Sequence, residues 1–234
     1  MNILDAIILG LLAVSSIAAA YKGFVGSVLD LVFFFVGWIA ALFFSPALSR
    51  YITERHPYLL QILITFSEGA LRIDSIEDRI LPVSALSSER ISHLVSEANF
   101  PYPFDRLLLS NLNNLALENL STLGEYFNHS IANILLNIIT FVTIYFVIRI
   151  SFTILASIAR GIMGLPVLKQ LDWLLAAGFG LLRGILIVNL LFLFLSVVLV
   201  LVPVDLLRAY IENSLLANFF TEFNIFSVFL RGRM

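Results

Sequence analysis

The sequence predicts an all-α fold, a multi-pass transmembrane helical bundle of about four crossings with an amphipathic helical insertion between the second and third crossings. Three observations predict it. Apolar residues make up 60% of the chain and charged residues only 13%, a balance that no soluble domain of this length needs. Residues 171–203 are apolar almost throughout after Asp172, interrupted by Arg183 and Asn189, and exceed the ~20 residues that cross a hydrocarbon core. Comparable runs recur at 3–20, 24–44 and 131–150, whereas ten of the sixteen acidic residues fall within 48–129. The chain therefore divides into a first transmembrane pair (1–47), a polar and amphipathic helical insertion (48–129), a second transmembrane block (130–203) and an amphipathic C-terminal tail (204–234).

The first run carries Asp5 near its start and has no Lys or Arg before it. A secretory signal needs a basic n-region, so Ala18-Ala19-Ala20 reads as part of a crossing rather than as a cleavage site. Tyr21-Lys22-Gly23 then interrupts the apolar pattern, and the second run ends at Ser45-Pro46. Two crossings joined by a very tight turn at Lys22-Gly23 are expected.

In the insertion, Arg50, Arg55, Arg72, Arg79, Arg90 and Arg106 alternate with the acids, as suits an aqueous or interfacial segment. Residues 58–66 are apolar but too short to cross, which predicts a helix lying against the membrane. Residues 87–98 read as a helix capped by Ser88. Residues 104–127 repeat Leu107, Leu108, Leu112, Leu115 and Leu120 at helical spacing, with the Asn-rich run 111–119 as the polar face. The third crossing has Asn133 and Asn137 one turn apart, amides expected to hydrogen-bond to a neighbouring helix. Residues 165–182 either cross the membrane or re-enter it, and the Phe-rich tail suits contact with a membrane surface.

Ala176, Gly180 and Gly184 fall four apart, a small-xxx-small ladder that lets a second backbone come close where lipid gives no hydrophobic drive for association. Ser15, Ala19 and Gly23 form a second such ladder. In each, a basic residue precedes the last glycine, Lys22 or Arg183, and a polar residue follows within the apolar run, Asp30 or Asn189. Two readings stand: an internal repeat lining a pathway between two halves, or ordinary close-packing faces centred on Ser15, Ala19, Ala176 and Gly180.

Asp172 and Arg183 share a side of one helix but lie roughly 16 Å apart along its axis, too far to pair. A guanidinium costs at least ~2.5 kcal/mol at the bilayer centre, so Arg183 needs a partner, a wet cavity or the headgroups. If the two basic-glycine sites are equivalent, each marks a helix break, and Lys22 faces Asp172 or Arg183 faces Asp30. The other reading is two unrelated snorkelling side chains.

The net charge of −2 excludes a broad nucleic-acid footprint, which needs clustered Lys and Arg. The absence of cysteine removes disulfide frameworks and thiolate metal sites. His56, His93 and His129 are scattered without metal-ligand spacing. No phosphate-binding loop, zinc-protease motif or nucleophile elbow occurs. Neither a catalytic, cofactor nor metal site is predicted, and the chain is read as a non-enzyme without cofactors.

Asp5, then Lys22-Gly23-Phe24-Val25 opening an apolar helix with Gly37, then Leu171-Asp172-x-Leu174-Leu175 followed by Gly180-Leu181-Leu182-Arg183-Gly184, together resemble the CvpA family of colicin V production proteins. The resemblance covers 1–46 and 131–202. Ala176 stands where a glycine is expected, and the 48–129 segment is longer than the family's connection. The resemblance implies a multi-pass protein of the bacterial inner membrane, associated with colicin V production or export and with envelope maintenance. Asp5, Lys22, Gly23, Asp172, Arg183 and Gly184 are the positions that carry over.

Two functional expectations follow. One is a non-enzymatic membrane protein that assists toxin production or export and envelope maintenance, with the lipid bilayer and membrane proteins or a second copy of the chain as partners through its small-residue faces. The alternative is a channel or transporter in which Lys22, Asp30, Asp172 and Arg183 line a polar path. The Lys22 turn and the 149–169 connection are expected in the cytoplasm, with both termini and the insertion outside, because Lys and Arg in short loops decide orientation.

Overall fold

The computed structural model describes residues 2–83, 86–100, 103–113, 122–162, 172–201 and 210–224. The helices are α1 (Ile3–Lys22), α2 (Phe24–Arg55), α3 (Pro57–Ser67), α4 (Ile76–Ile80), α5 (Ser88–Glu97), α6 (Phe104–Asn113), α7 (Leu123–Ile162), α8 (Asp172–Leu201) and α9 (Leu215–Glu222), with a 3-10 turn at Gly69–Arg72. Among the described residues there is no strand. Among the described residues, four stretches are long and apolar enough to cross a membrane: Ile3–Lys22, Phe24–Arg55, Leu123–Leu155 and Asp172–Leu201. The protein is an all-α, multi-pass membrane protein.

Helix limits depart from the sequence expectation where capping or context overrides composition. α2 does not stop at Ser45-Pro46 but carries Pro46 inside it and runs on to Arg55; helices in membranes tolerate an internal proline when neighbouring groups satisfy the freed backbone. α7 begins at Leu123, well before 131, because Thr122 and Glu125 form a capping box: the Glu125 N–H donates to Thr122 Oγ1 at 3.3 Å and the Thr122 N–H to Glu125 Oε2 at 3.4 Å. α5 is capped by Ser87 rather than Ser88, with the Ser87 hydroxyl accepting from the Arg90 N–H. Of the helix expected over 104–127, residues 104–113 form α6, 123–127 are the first residues of α7, and 114–121, with Leu115 and Leu120, lie outside the described residues. Of the segment 165–182, residues 172–182 are the first turns of α8 and the rest lies outside the described residues.

The chain forms two compact units. One comprises Met1–Ser45, Phe141–Phe192 and Leu206–Asn224; the other comprises Pro46–Thr140, Leu193–Asp205 and Ile225–Met234.

In the second unit the insertion has a core of its own. Phe104, Leu107, Leu108, Leu112, Phe127 and Ile131 are fully buried, so Leu107, Leu108 and Leu112 of the leucine stripe face inward. Gly69 admits Ile131 and the Phe127 backbone, where a Cβ would stand 2.6 Å from Ile131 Cδ1. The Ala70 N–H donates to Asn128 at 2.8 Å, the Leu123 N–H to the Leu81 carbonyl at 2.9 Å and the Tyr126 hydroxyl to the Asn111 carbonyl at 2.6 Å. Arg90 clasps both carboxylate oxygens of Asp78 at 3.0–3.1 Å. Asn133 and Asn137 are half-buried, and among the described residues their amides do not make the interhelical bond expected of them. α3 leaves Tyr58, Ile62 and Phe66 exposed along one side.

The first unit is built on α1, α2, α8 and the start of the tail, with residues 141–162 of α7. α2 and α7 run antiparallel: the Arg149 guanidinium meets Asp30, whereas the Tyr145 ring lies over Gly37, 3.5 Å from where a Cβ would stand, and edge-on to Phe34. Spacings of three and four put Ser27, Asp30, Phe34, Gly37 and Ala41 on one buried face of α2.

Candidate functional site

The two small-residue ladders pack directly on each other. A Cβ on Gly180 would collide with Ala19 Cβ, with the Ser15 carbonyl oxygen at 2.6 Å and with Ser16 Cα at 3.0 Å. One on Gly184 would press on Ser15 Cβ at 3.1 Å and on Leu12 at 3.2 Å. Ser15 Oγ donates to the Gly180 carbonyl at 2.7 Å, and Ser16 Oγ to the Ala177 carbonyl at 3.0 Å. Descending positions in α1 meet ascending positions in α8, so the helices are antiparallel. Ser15 and Ala19 are buried in this seam, Ala176 is buried one turn before Gly180, and α8 passes through Arg183 and Gly184 without a break. Gly184 is there for close approach, not for a turn.

Gly23 is the true turn. Its φ of +78° is a region that L side chains avoid, and Asp172 Oδ2 sits 2.6 Å from where its Cβ would be. Asp172 Oδ1 accepts the Phe24 N–H at 2.8 Å. The carboxylate thus satisfies an orphan donor at the start of α2, at the end of the helix where negative charge is favoured. The expected pairing of Lys22 with Asp172 is not formed.

Lys22 turns instead to Asp30, as does Arg183. Asp30 Oδ2 accepts from Arg183 Nη1 at 2.5 Å and from Lys22 Nζ at 2.7 Å. The other edge of the Arg183 guanidinium is fixed by Ser15, with Nη2 3.2 Å and Nε 3.4 Å from Oγ. A third cation, Arg149, donates from Nη1 to the backbone carbonyl of Asp30 at 2.9 Å. The side chains of Asp30 and Arg183 are 11% and 12% exposed, while that of Lys22 is 42% exposed. The centre of the cluster is therefore dry and its lysine edge open. Charges buried in this way persist only when paired and hydrogen-bonded.

Asp5 lies at the opposite end of α1. Its Oδ1 accepts from Ser214 Oγ at 2.6 Å and from the Leu216 N–H at 3.0 Å, and its Oδ2 accepts from the Asn2 N–H at 2.7 Å. This carboxylate closes the capping box of α1 and binds the first turn of α9. Asn189 is not a counterpart of Asp30. Its side-chain amide donates to the Ile185 carbonyl of its own helix at 3.0 Å, and its backbone carbonyl accepts from Asn224 at 2.8 Å.

Of the residues singled out in the sequence, Lys22, Asp30 and Arg183 come together with Ser15; Gly23 with Asp172; and Ala19 and Gly184 with the seam around Gly180. Asp5 and Asn189 are joined to the tail. Sequence reasoning missed Arg149 as part of the cluster and Ser214 as the Asp5 partner. Arg149 had a signal, since it follows Tyr145 by one helical turn in an otherwise apolar stretch. Ser214 had none, being 209 positions from Asp5. Among the described residues no group of three or more His, Cys, Asp or Glu side chains is placed to hold a metal ion.

Helices of crossing length, with opposite charges joined between them, define a multi-pass α-helical membrane protein organised around buried ion pairs. The chain belongs to the colicin V production protein family: the model of that family, Colicin V production protein, matches residues 4–73 and 115–224. The match extends beyond 1–46 and 131–202 into both ends of the insertion and into the tail, and it leaves out 74–114. Comparison with curated proteins and with solved structures gives no match.

Proposed function

We propose that this protein is a non-enzymatic component of the bacterial inner membrane that assists colicin V-type toxin production or export and envelope maintenance by engaging other membrane proteins. The observation that carries this reading is the bonding of Asp30. Its carboxylate and its backbone carbonyl hold three cations from three helices, which fixes those helices rather than leaving an acid and a base free for proton transfer. A rigid set of helices with apolar outer faces is a docking scaffold. The test is deletion and complementation in a toxin-exporting strain. Restoration of extracellular toxin and of detergent resistance by the wild-type chain, but not by Asp30→Ala, is expected; full export without the protein refutes the reading.

The same end of the first unit supports an orientation. The bonds of Lys22 and Arg149 to Asp30 hold both cations at one residue near the Gly23 turn, which supports a cytoplasmic location for the Lys22 turn and the 149–169 connection under the positive-inside rule. Reporter fusions at Pro46 and Met234 are expected to report an external location, and a cytoplasmic signal at Pro46 overturns the assignment.

A channel or transporter is the second reading, favoured by the open lysine edge of the cluster. Ion flux in liposomes that is lost on Arg183→Ala would establish it. Absence of flux under ionic and osmotic gradients, with folded protein, would remove it.

A further inference from the structure

Arg183 and Arg149 both reach Asp30, but only one of them is neutralised there. Arg183 donates to the Asp30 carboxylate and to Ser15 with both edges of its guanidinium. Arg149 donates one N–H to the Asp30 backbone carbonyl, and among the described residues no carboxylate lies within ion-pair distance of it. It is half-buried and sits inside the crossing-length stretch Leu123–Leu155, where a cation without a counterion is unfavourable. Around Asp30, among the described residues, three cations, Lys22, Arg149 and Arg183, meet one carboxylate, and Asp172 is already bound to the Phe24 N–H and packed on Gly23. Lys22 uses one of its three N–H donors on Asp30 and is the exposed member of the cluster.

We infer that Lys22 and Arg149 form a binding site for a phosphate group, presented either by an anionic phospholipid at the headgroup level or by a free anion. A guanidinium offers two parallel donors to phosphate oxygens and an ammonium adds a point charge beside them. Asp30 sets the geometry, because its backbone carbonyl holds Arg149 and its carboxylate holds Lys22 on the same residue. Lys22 lies beside the turn at Gly23 that ends the first crossing, a place that suits a headgroup phosphate, and Arg149, held at Asp30 seven residues beyond that turn, comes within reach of it by extending its side chain toward the interface. Arg183, buried and fully engaged, takes no part in binding. This site stands on charge and geometry alone and is read on purified protein, so its failure and failure of the toxin-production reading are separate results.

The experiment is native mass spectrometry of the full chain released from detergent, with phosphatidylglycerol or phosphatidylcholine added in turn, and a parallel titration with inorganic phosphate followed by thermal stability. The wild-type protein is expected to retain phosphatidylglycerol over phosphatidylcholine. Arg149→Gln should weaken retention by about tenfold or more, the loss of a charge-assisted bond; Lys22→Gln should weaken it less, and Arg149→Lys should keep most of it. If phosphatidylglycerol shows no preference but inorganic phosphate raises the melting temperature of the wild type and not of Arg149→Gln, the site is one for a free anion. Equal behaviour of wild type and Arg149→Gln in both arms overturns the proposal. Should Arg149→Gln not fold, Lys22→Gln decides: unchanged retention and unchanged phosphate response overturn it as well.

Discussion

Asp5 and Asp30 are both buried carboxylates in apolar helices, and the chain accommodates them in opposite ways. Asp5 is surrounded by neutral donors: a hydroxyl from Ser214 and the N–H groups of Asn2 and Leu216. Asp30 is surrounded by cations, with Arg183 and Lys22 on one carboxylate oxygen and Arg149 on its backbone. A hydrogen-bonded carboxylate depends on groups that are themselves content when it is removed, since water or a neighbouring carbonyl can take a hydroxyl or an N–H near a helix end. An ion cluster has no such tolerance. Removing its one carboxylate leaves like charges facing each other in a medium that cannot solvate them.

The largest expected effect is therefore at Asp30. Asp30→Ala strands Arg183, and detergent-solubilised protein should lose ~3–5 kcal/mol of stability. Arg183→Ala added to it should recover much of the loss, giving a strongly non-additive double-mutant cycle in thermal unfolding. Lys22→Ala with Asp172→Ala should be additive, because those two residues do not touch the same groups; coupling there would break the contrast by showing that Asp172 belongs to the charge cluster.

Next in size is the seam that sets the distance between the ladders. Gly180→Ala puts a methyl group into the Ser15 backbone and Ala19 and should cost ~1–3 kcal/mol. Gly178→Ala, with open space around its Cβ position, should be neutral or stabilising by up to ~1 kcal/mol. Equal effects at 178 and 180 in a melting assay would mean that the seam is not close-packed.

At the other end, Ser214→Ala removes one neutral donor from Asp5 and should lower the melting temperature less than either change above. The readout that sharpens the comparison is proteolysis of the tail, which should accelerate before global unfolding. A loss as large as that of Asp30→Ala would mean that Asp5 needs a charge partner after all. The smallest effect is expected for Lys22→Ala, below about 1 kcal/mol, because its exposed ammonium is solvated with or without Asp30.

The crossings and the close-packing faces were legible because they depend on local rules: run length for the helices, a period of four for Ser15, Ala19, Ala176 and Gly180. The Arg183–Asp30 pair was legible as one of two options, since an intramembrane cation must find an acid and few were available. What the sequence could not rank was which acid. Asp172 looked equivalent to Asp30 as a charge, yet its place at the start of α8 lets it cap α2 through Phe24, a tertiary contact 148 positions apart with no local pattern. The apparent repeat failed for a similar reason: the two basic-glycine sites share spacing, but Gly23 has positive φ and Gly184 lies within a continuous helix. The end of α2 was misplaced because a proline ends helices in water more often than in a membrane.

The Asp172 contact also has a temporal side. The hairpin of α1 and α2 is synthesised first, with the Phe24 N–H open and Asp30 facing Lys22 alone, and the chain must grow by well over a hundred residues before Asp172 and Arg183 arrive. Until then the early hairpin holds an unfinished turn and an unlocked carboxylate within the bilayer. Final assembly therefore waits on α8, and a chain interrupted before it leaves the ribosome with its first two crossings paired through Lys22 and Asp30 but without the α8 groups that cap Phe24 and lock Asp30.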